Sequence, residues 1–348
     1  MENTGNLLAT FVKEKKAEEL SRLDGIKLVD SLFADLLDRE KDVLFRRFGL
    51  KGDKGETLEQ IGQLHKLTRE RVRQIEAASL KKIKKLENLL EIVSSLRDVV
   101  KELILEHGGL IRRDYLLDIL TVVALEVGAG LSTDHVDYET QRTKYRNHFN
   151  LIISKILSDD LELVEGSDNF NTSLKLKETN IDHLNELAIE LLTKVADLKK
   201  TMTTEDLLKL IKQSETYLKN ESKFEAKQSD ISPIFKSQLF NDQASTINDN
   251  KILYSLMQAI KELEQNKYGA WGMANWGEIR PKTVNDKIYL ILKNNGQPLR
   301  FTEIANKINK MKFDKKVANS ATVHNELILD DRYVLMSRGT YGLKEWQK

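Results

Sequence analysis

The sequence predicts a mainly α protein: a helix-turn-helix module followed by tandem winged-helix-like units with small β-hairpins. Three observations carry this. Hydrophobic residues make up 40% of the chain and charged residues 31%, the balance of a soluble, helix-rich protein. Two capped helix starts, at Thr57 and at Thr68, mark two helices joined by a short turn. Beyond Glu87 a theme of three helices and a hairpin recurs three times at uneven spacing.

The helix pair is justified residue by residue. Thr57 caps the first helix, and Gln60 three positions on completes a capping box. Leu58 and Ile61 give that helix an apolar side, and Gly62 lets its partner approach. Thr68 caps the second helix, and Glu70 in its first turn suits the positive helix end. At about 100° per residue, Val72, Ile75, Ile83 and Leu86 fall on one side, with Glu70, Arg73, Gln74, Ala77 and Lys81 opposite. From Lys66 to Lys85 there are eight basic and two acidic residues, a local charge of +6 in a chain of net charge +1. An exposed face with Arg and Gln near the helix start has the chemistry of a major-groove reader. Arg pairs with guanine, Gln with adenine, and Glu accepts from cytosine. Lysines further along suit phosphates, which position the protein without specifying sequence. The bland alternative for such a run is a solvated helix face.

These residues carry a resemblance. Asp38-Arg39-Glu40, Arg46-Arg47-Phe48-Gly49-Leu50, Thr57-Leu58-Glu59-Gln60-Ile61-Gly62 and Thr68-Arg69-Glu70-Arg71-Val72-Arg73-Gln74-Ile75-Glu76-Ala77 make residues 26–86 similar to region 4 of the primary-type bacterial sigma factors. The resemblance implies a module that reads the −35 promoter element and docks on the flap of the RNA polymerase β subunit. It implies base reading by Arg69, Glu70, Arg73 and Gln74, with Arg71 and Lys82 nearer the backbone; Thr68 and Lys81 complete the expected DNA contacts. Two positions depart from the family pattern. His65 stands where a core aromatic is usual, and Lys66 where the turn usually has Gly, Asn or Asp. A lysine in a left-handed turn costs about 1 kcal/mol. The sigma-factor parts that grip the polymerase clamp and melt the −10 element have no counterpart in the sequence, so a complete sigma factor is not expected.

In chain order, the expected domains are an N-terminal helix at 1–24, the region 4-like module at 25–88, winged-helix-like units at 89–178 and 179–281, and a last winged helix at 282–348. Residues 7–23 read as one amphipathic helix, and 26–37 as the next. The capped pair with its apolar side is expected to fold alone over 26–88. The glycines of 49–55 mark a plain loop, since no strand precedes them and no Gly-Lys-Ser/Thr ends them. The three repeats place helices near 96–107, 112–120 and 145–158, then near 184–198, 204–213 and 251–266, then near 284–294, 301–309 and 321–329. Hairpins are expected at 161–164 with 173–176 and at 333–336 with 340–343, while 268–276 is a tail rich in glycine and aromatics. Residues 214–250 are polar and read as a long loop or part-disordered insertion.

The last unit carries a second resemblance. Gln297-Pro298-Leu299-Arg300-Phe301-Thr302-Glu303-Ile304-Ala305 and Arg338-Gly339-Thr340-Tyr341-Gly342-Leu343-Lys344-Glu345-Trp346 make it similar to the HARE-HTH winged helix, a family that includes the N-terminal domain of the RNA polymerase delta subunit. This implies a wing with Tyr341, Leu343 and Trp346 in the core and Arg338 exposed at the hairpin turn, where it offers a phosphate contact. The alternative for this unit is a docking module that never touches DNA.

Other function classes find little support. There is no cysteine, hence no disulfide frame or thiolate metal site. The start lacks a signal-peptide pattern, and no apolar run reaches membrane-spanning length, so a cytoplasmic, nucleoid-associated protein is expected. The six histidines lie far apart, and Asp134-His135-Val136-Asp137 reads as a solvated loop. No catalytic residues, metal site or cofactor are expected. The expectation is a non-enzymatic DNA-binding transcription factor acting with the RNA polymerase core on a promoter-like duplex. The rival is a polymerase-associated protein whose helix-turn-helix units dock protein.

Overall fold

The structure, a computed structural model, describes residues 23–225, 229–240 and 243–347. The helix expected at 7–23 lies outside them except for Leu23, which is buried. The described residues are mainly helical, with only small antiparallel sheets. They divide into two compact units: one runs to Ala188 and includes Glu215–Ala259, and the other comprises Ile189–Ser214 and the chain from Ile260 on.

The first unit opens with α1 (Gly25–Leu32), capped by Asp24, whose Oδ1 accepts from the Ile26 amide at 3.0 Å. It stops short of the expected 37. The helix pair follows as α2 (Asp38–Phe48), α3 (Leu58–His65) and α4 (Arg69–Ile83). Next come α5 (Leu89–Glu106), β1 (Leu110–Arg112), α6 (Arg113–Val122) and α7 (Tyr138–Leu151). The hairpin β2 (Leu161–Val164) and β3 (Ser173–Leu176) has the expected bounds. The sheet order is β1-β3-β2, so the strand before α6 joins the hairpin through β3. That is a winged-helix arrangement: a helix, a short strand, two helices and a hairpin. Packing continues across residue 88, because α1 lies against α5 and α7. A fragment of 26–88 therefore lacks the surface that covers Val29 and Leu32, contrary to the self-standing module the sequence suggests.

Residues 214–250 are more ordered than their composition predicts. They form α8 (Glu215–Lys219), α9 (Glu221–Phe224), α10 (Ser232–Phe235) and α11 (Ala244–Asp249). Six of the apolar residues there, Phe224, Ile231, Ile234, Phe235, Phe240 and Ile247, are buried, whereas Leu218 is exposed. Phe240 meets Tyr115 edge-on at 6.0 Å, and Ser237 donates to Glu126 at 2.8 Å. Helix α12 (Lys251–Ala259) packs on β1, with Ser255 donating to the Leu110 carbonyl at 2.9 Å. Its first residue makes a buried ion pair, Lys251 to Glu106 at 3.1 Å.

In the second unit, Thr203 caps α13 (Thr204–Lys212), its hydroxyl accepting from the Asp206 amide at 3.1 Å. The glycine-aromatic tail is strand β5 (Trp271–Met273), paired with β4 (Leu263–Gln265). Met202, just ahead of α13, makes a single antiparallel bridge to Trp271 and so joins the hairpin edge. Trp271 is buried, and its indole N–H donates to Thr204 at 3.0 Å. The last winged helix comprises α14 (Val284–Asn295), β6 (Leu299–Arg300), α15 (Phe301–Met311), α16 (Ser320–Leu329), β7 (Tyr333–Ser337) and β8 (Thr340–Leu343), in sheet order β6-β8-β7. Ile288, Ile291, Ile304, Ile308, Val323 and Leu327 form its core with Tyr333, Tyr341 and Leu343, and Trp346 packs on it half-buried.

Candidate nucleic-acid interface

The geometry of the helix pair follows from its caps. The Thr57 hydroxyl accepts from the Gln60 amide at 3.2 Å, and the Gln60 side chain accepts from the Thr57 amide at 2.8 Å. The two side chains thus satisfy two orphan donors reciprocally. Helix α3 ends on Lys66 in the left-handed conformation, φ 55° and ψ 44°. Gly62 is required by contact: a Cβ there would lie 2.7 Å from the Leu67 carbonyl oxygen. Thr68 then starts α4, its hydroxyl accepting from the Arg71 amide at 3.2 Å. Val43, Ile61 and Val72 are the core of the pair, with Leu58, Leu67 and Ile75 packed on it. Ser79, which sequence reasoning passed over, is fully buried and donates to the Ile75 carbonyl at 2.7 Å. His65 occupies its unusual position as a polar clasp, Nε2 to Asp42 at 2.8 Å. Burial works against the Asp42 carboxylate, yet hydrogen bonds from Arg46 and His65 hold its pKa below the ordinary value.

Thr68, Arg69, Glu70, Arg71, Arg73, Gln74, Lys81 and Lys82 are all exposed on α4 and its cap. They are not equally free. Arg73 grips Glu70 through Nε at 2.8 Å and Nη2 at 2.7 Å, which lowers the Glu70 pKa and raises that of Arg73. Arg71 donates to the Gln74 side chain at 3.1 Å. Lys82 is drawn off to Glu40 at 2.6 Å, and that hydrogen bond holds the Glu40 carboxyl below its usual range. Lys84 lies 3.7 Å from Asp159 and donates to the Ser158 hydroxyl at 2.9 Å. Arg69, Lys81 and Lys85 have no ion pair among the described residues. Glu40 and Asp159 were not anticipated as partners, since nothing in a linear charge count joins residues so far apart.

The pair is held from behind. The Asn147 amide on α7 donates to the carbonyls of Gly49 at 2.8 Å and Asp53 at 3.0 Å. Gly49 ends α2 at φ +63°, and a Cβ there would meet the Asp53 carbonyl at 2.1 Å. At Gly25 a Cβ would come within 2.9 Å of the Phe149 ring. Helix α7 is the third helix of its winged-helix unit, and this contact with the module occupies part of its surface. Its arginines are engaged as well: Arg146 donates to Asp114 at 2.7 Å and also pairs with Asp118, and Arg142 reaches Asp118 at 3.4 Å. Arg338 lies in the other unit. It is exposed in the two-residue turn between β7 and β8, where Gly339 takes φ +71°.

Residues 32–85 match the family described as Sigma-70, region 4. The same part of the chain is similar to the RNA polymerase sigma factor SigA of Lactococcus lactis subsp. cremoris, 39% identical over 80 residues, which are 23% of this chain and 22% of that protein. It is also similar to the RNA polymerase sigma factor SigA of Nostoc sp. (strain PCC 7120 / SAG 25.82 / UTEX 2576), 44% identical over 72 residues, covering 21% and 17% of the two chains. The chain thus matches about a fifth of the length of these relatives. No solved structure matches it. The region 4-like domain takes in α2, α3 and α4, and every expected α4 contact residue falls within its bounds. Among the described residues no helix is long and apolar enough to cross a membrane.

Proposed function

We propose that this protein is a DNA-binding transcription factor that acts with RNA polymerase in the cytoplasm and reads a −35-like duplex with α4. One observation carries the reading. Within the stretch that matches sigma-70 region 4, Arg69, Glu70, Arg73 and Gln74 stand exposed on the first turns of a helix capped by Thr68. Those side chains suit guanine, cytosine and adenine edges, and a helix N-terminus directed into the major groove is how helix-turn-helix proteins present them. The Glu70–Arg73 pair holds the two side chains side by side on this face. The β flap of polymerase is the partner that the region 4 likeness suggests. The last winged helix, read as a HARE-HTH unit, adds a second contact through Arg338. Glu40 and Asp159 temper the basic face, which favours a reader of sequence over a general phosphate binder.

The test is sequence discrimination. After selection of a preferred duplex, Arg73→Ala and Gln74→Ala should each cost about 1–3 kcal/mol on it and little on random DNA. Equal losses on both duplexes would remove the base-reading role and favour a protein-docking function for α4.

A further inference from the structure

In the first winged-helix unit a cavity of about 530 Å³ opens between the β2–β3 hairpin, the start of α6 and the segment that follows α7. Its volume is that of a small-molecule site. Ile153, Leu161, Leu163 and Leu174 give it an apolar floor, and Leu163 remains 40% exposed. Arg113 and Lys177 stand on its wall. Among the described residues no ion pair or side-chain hydrogen bond engages Arg113 or Lys177; the Arg113 Nε is enclosed by protein, so a ligand in the cavity meets the outer guanidinium nitrogens. Glu162, an acidic residue of the lining, is already paired with Lys175 at 3.0 Å. The cavity therefore presents cations without ion pairs among the described residues above an apolar surface.

We propose that this cavity binds a small organic carboxylate with an apolar chain. The guanidinium of Arg113 takes the carboxylate, Lys177 adds attraction at the mouth, and the chain covers the leucines. Inorganic phosphate would leave the apolar floor wet, and a neutral hydrocarbon would leave the charges of Arg113 and Lys177 unmatched. The site adjoins the recognition helix: Ser158 lines the cavity and accepts from Lys84, which caps the end of α4. An effect of the ligand on DNA affinity rests on the function proposed above; the binding itself does not.

The experiment is titration calorimetry on the full chain without DNA, using hexanoate, octanoate and decanoate and the neutral alcohols of the same chain lengths. Saturable binding should tighten with chain length, and each alcohol should bind at least about tenfold more weakly than its carboxylate. Arg113→Met should weaken octanoate at least about tenfold. Leu163→Glu, at the exposed rim where folding is least disturbed, should do the same by placing a like charge at the mouth. Circular dichroism melts confirm that each variant is folded. No binding of any of the carboxylates, equal binding of the alcohols, or octanoate affinity unchanged in both variants would overturn the proposal. A separate DNA titration with and without octanoate distinguishes the parts: if octanoate binds and DNA affinity stays fixed, only the coupling through Ser158 and Lys84 fails.

Discussion

A lysine held by a carboxylate releases few counterions when DNA arrives, because its charge is already balanced. Lys82 and Lys84 are so held, whereas among the described residues no carboxylate pairs with Lys81 or Lys85. The double substitution Lys81→Gln/Lys85→Gln should therefore flatten the log–log salt dependence by roughly two units, at about 0.9 per phosphate contact, and weaken all duplexes alike. Lys82→Gln should change it less. Anisotropy titrations over a salt series check this, and an unchanged slope in the double variant would mark these lysines as an ordinary solvated face. A second residue-scale consequence concerns acid. His107 is buried, and burial first, with Lys251 adding to it, lowers its pKa from 6.5 to about 4 against the hydrogen bond to the Leu103 carbonyl. Between those values the unfolded chain binds a proton that the folded chain refuses, so stability present near neutrality is lost as the pH falls. The lowered pKa of the buried His148 acts in the same direction. The loss from His107 is at most about 3 kcal/mol. Urea unfolding at about pH 7 and about pH 5 should show it, and His107→Gln should shrink the difference.

Among the elements, α7 has the most to explain. Its Asn147 carries two hydrogen bonds to the loop behind the helix pair, so Asn147→Ala should destabilise the first unit by about 1–3 kcal/mol. A thermal melt of the full chain measures this, and a melt identical to the parent would show that the loop holds itself. This contact was not legible in the sequence. Asn147 and Gly49 are 98 positions apart, and no local pattern joins a polar residue of one helix to the carbonyls of so distant a loop. Local chemistry was legible. The caps at Thr57 and Thr68 follow from side chains that reach only to the next turn, and the hairpin of Leu161–Val164 with Ser173–Leu176 follows from strand patterning around a glycine turn. The insertion was misread because its buried residues are few. Phe235 and Phe240 are diluted among Ser, Asn, Lys and Gln, and composition averages them away. Of the candidate site, the exposed residues were readable, and the partners that restrain them were not.

At the scale of the whole molecule, the likeness to sigma factors covers one helix-turn-helix and about a fifth of those proteins. The proposed role therefore stops short of DNA melting. Mixed with core polymerase and no other sigma factor, the full chain should give no permanganate-reactive thymines at a promoter carrying its preferred duplex; reactive thymines there would assign it an opening activity. The packing of α7 behind the helix pair also has a genetic consequence. Substitutions that abolish occupancy of a target promoter should fall into two classes. Those at Arg69, Glu70, Arg73 and Gln74 alter the reading surface and should fail at every growth temperature. Those at Asn147 or Phe149 loosen the support behind that surface, so they should behave as temperature-sensitive alleles, and second-site changes in the 49–55 loop should suppress them.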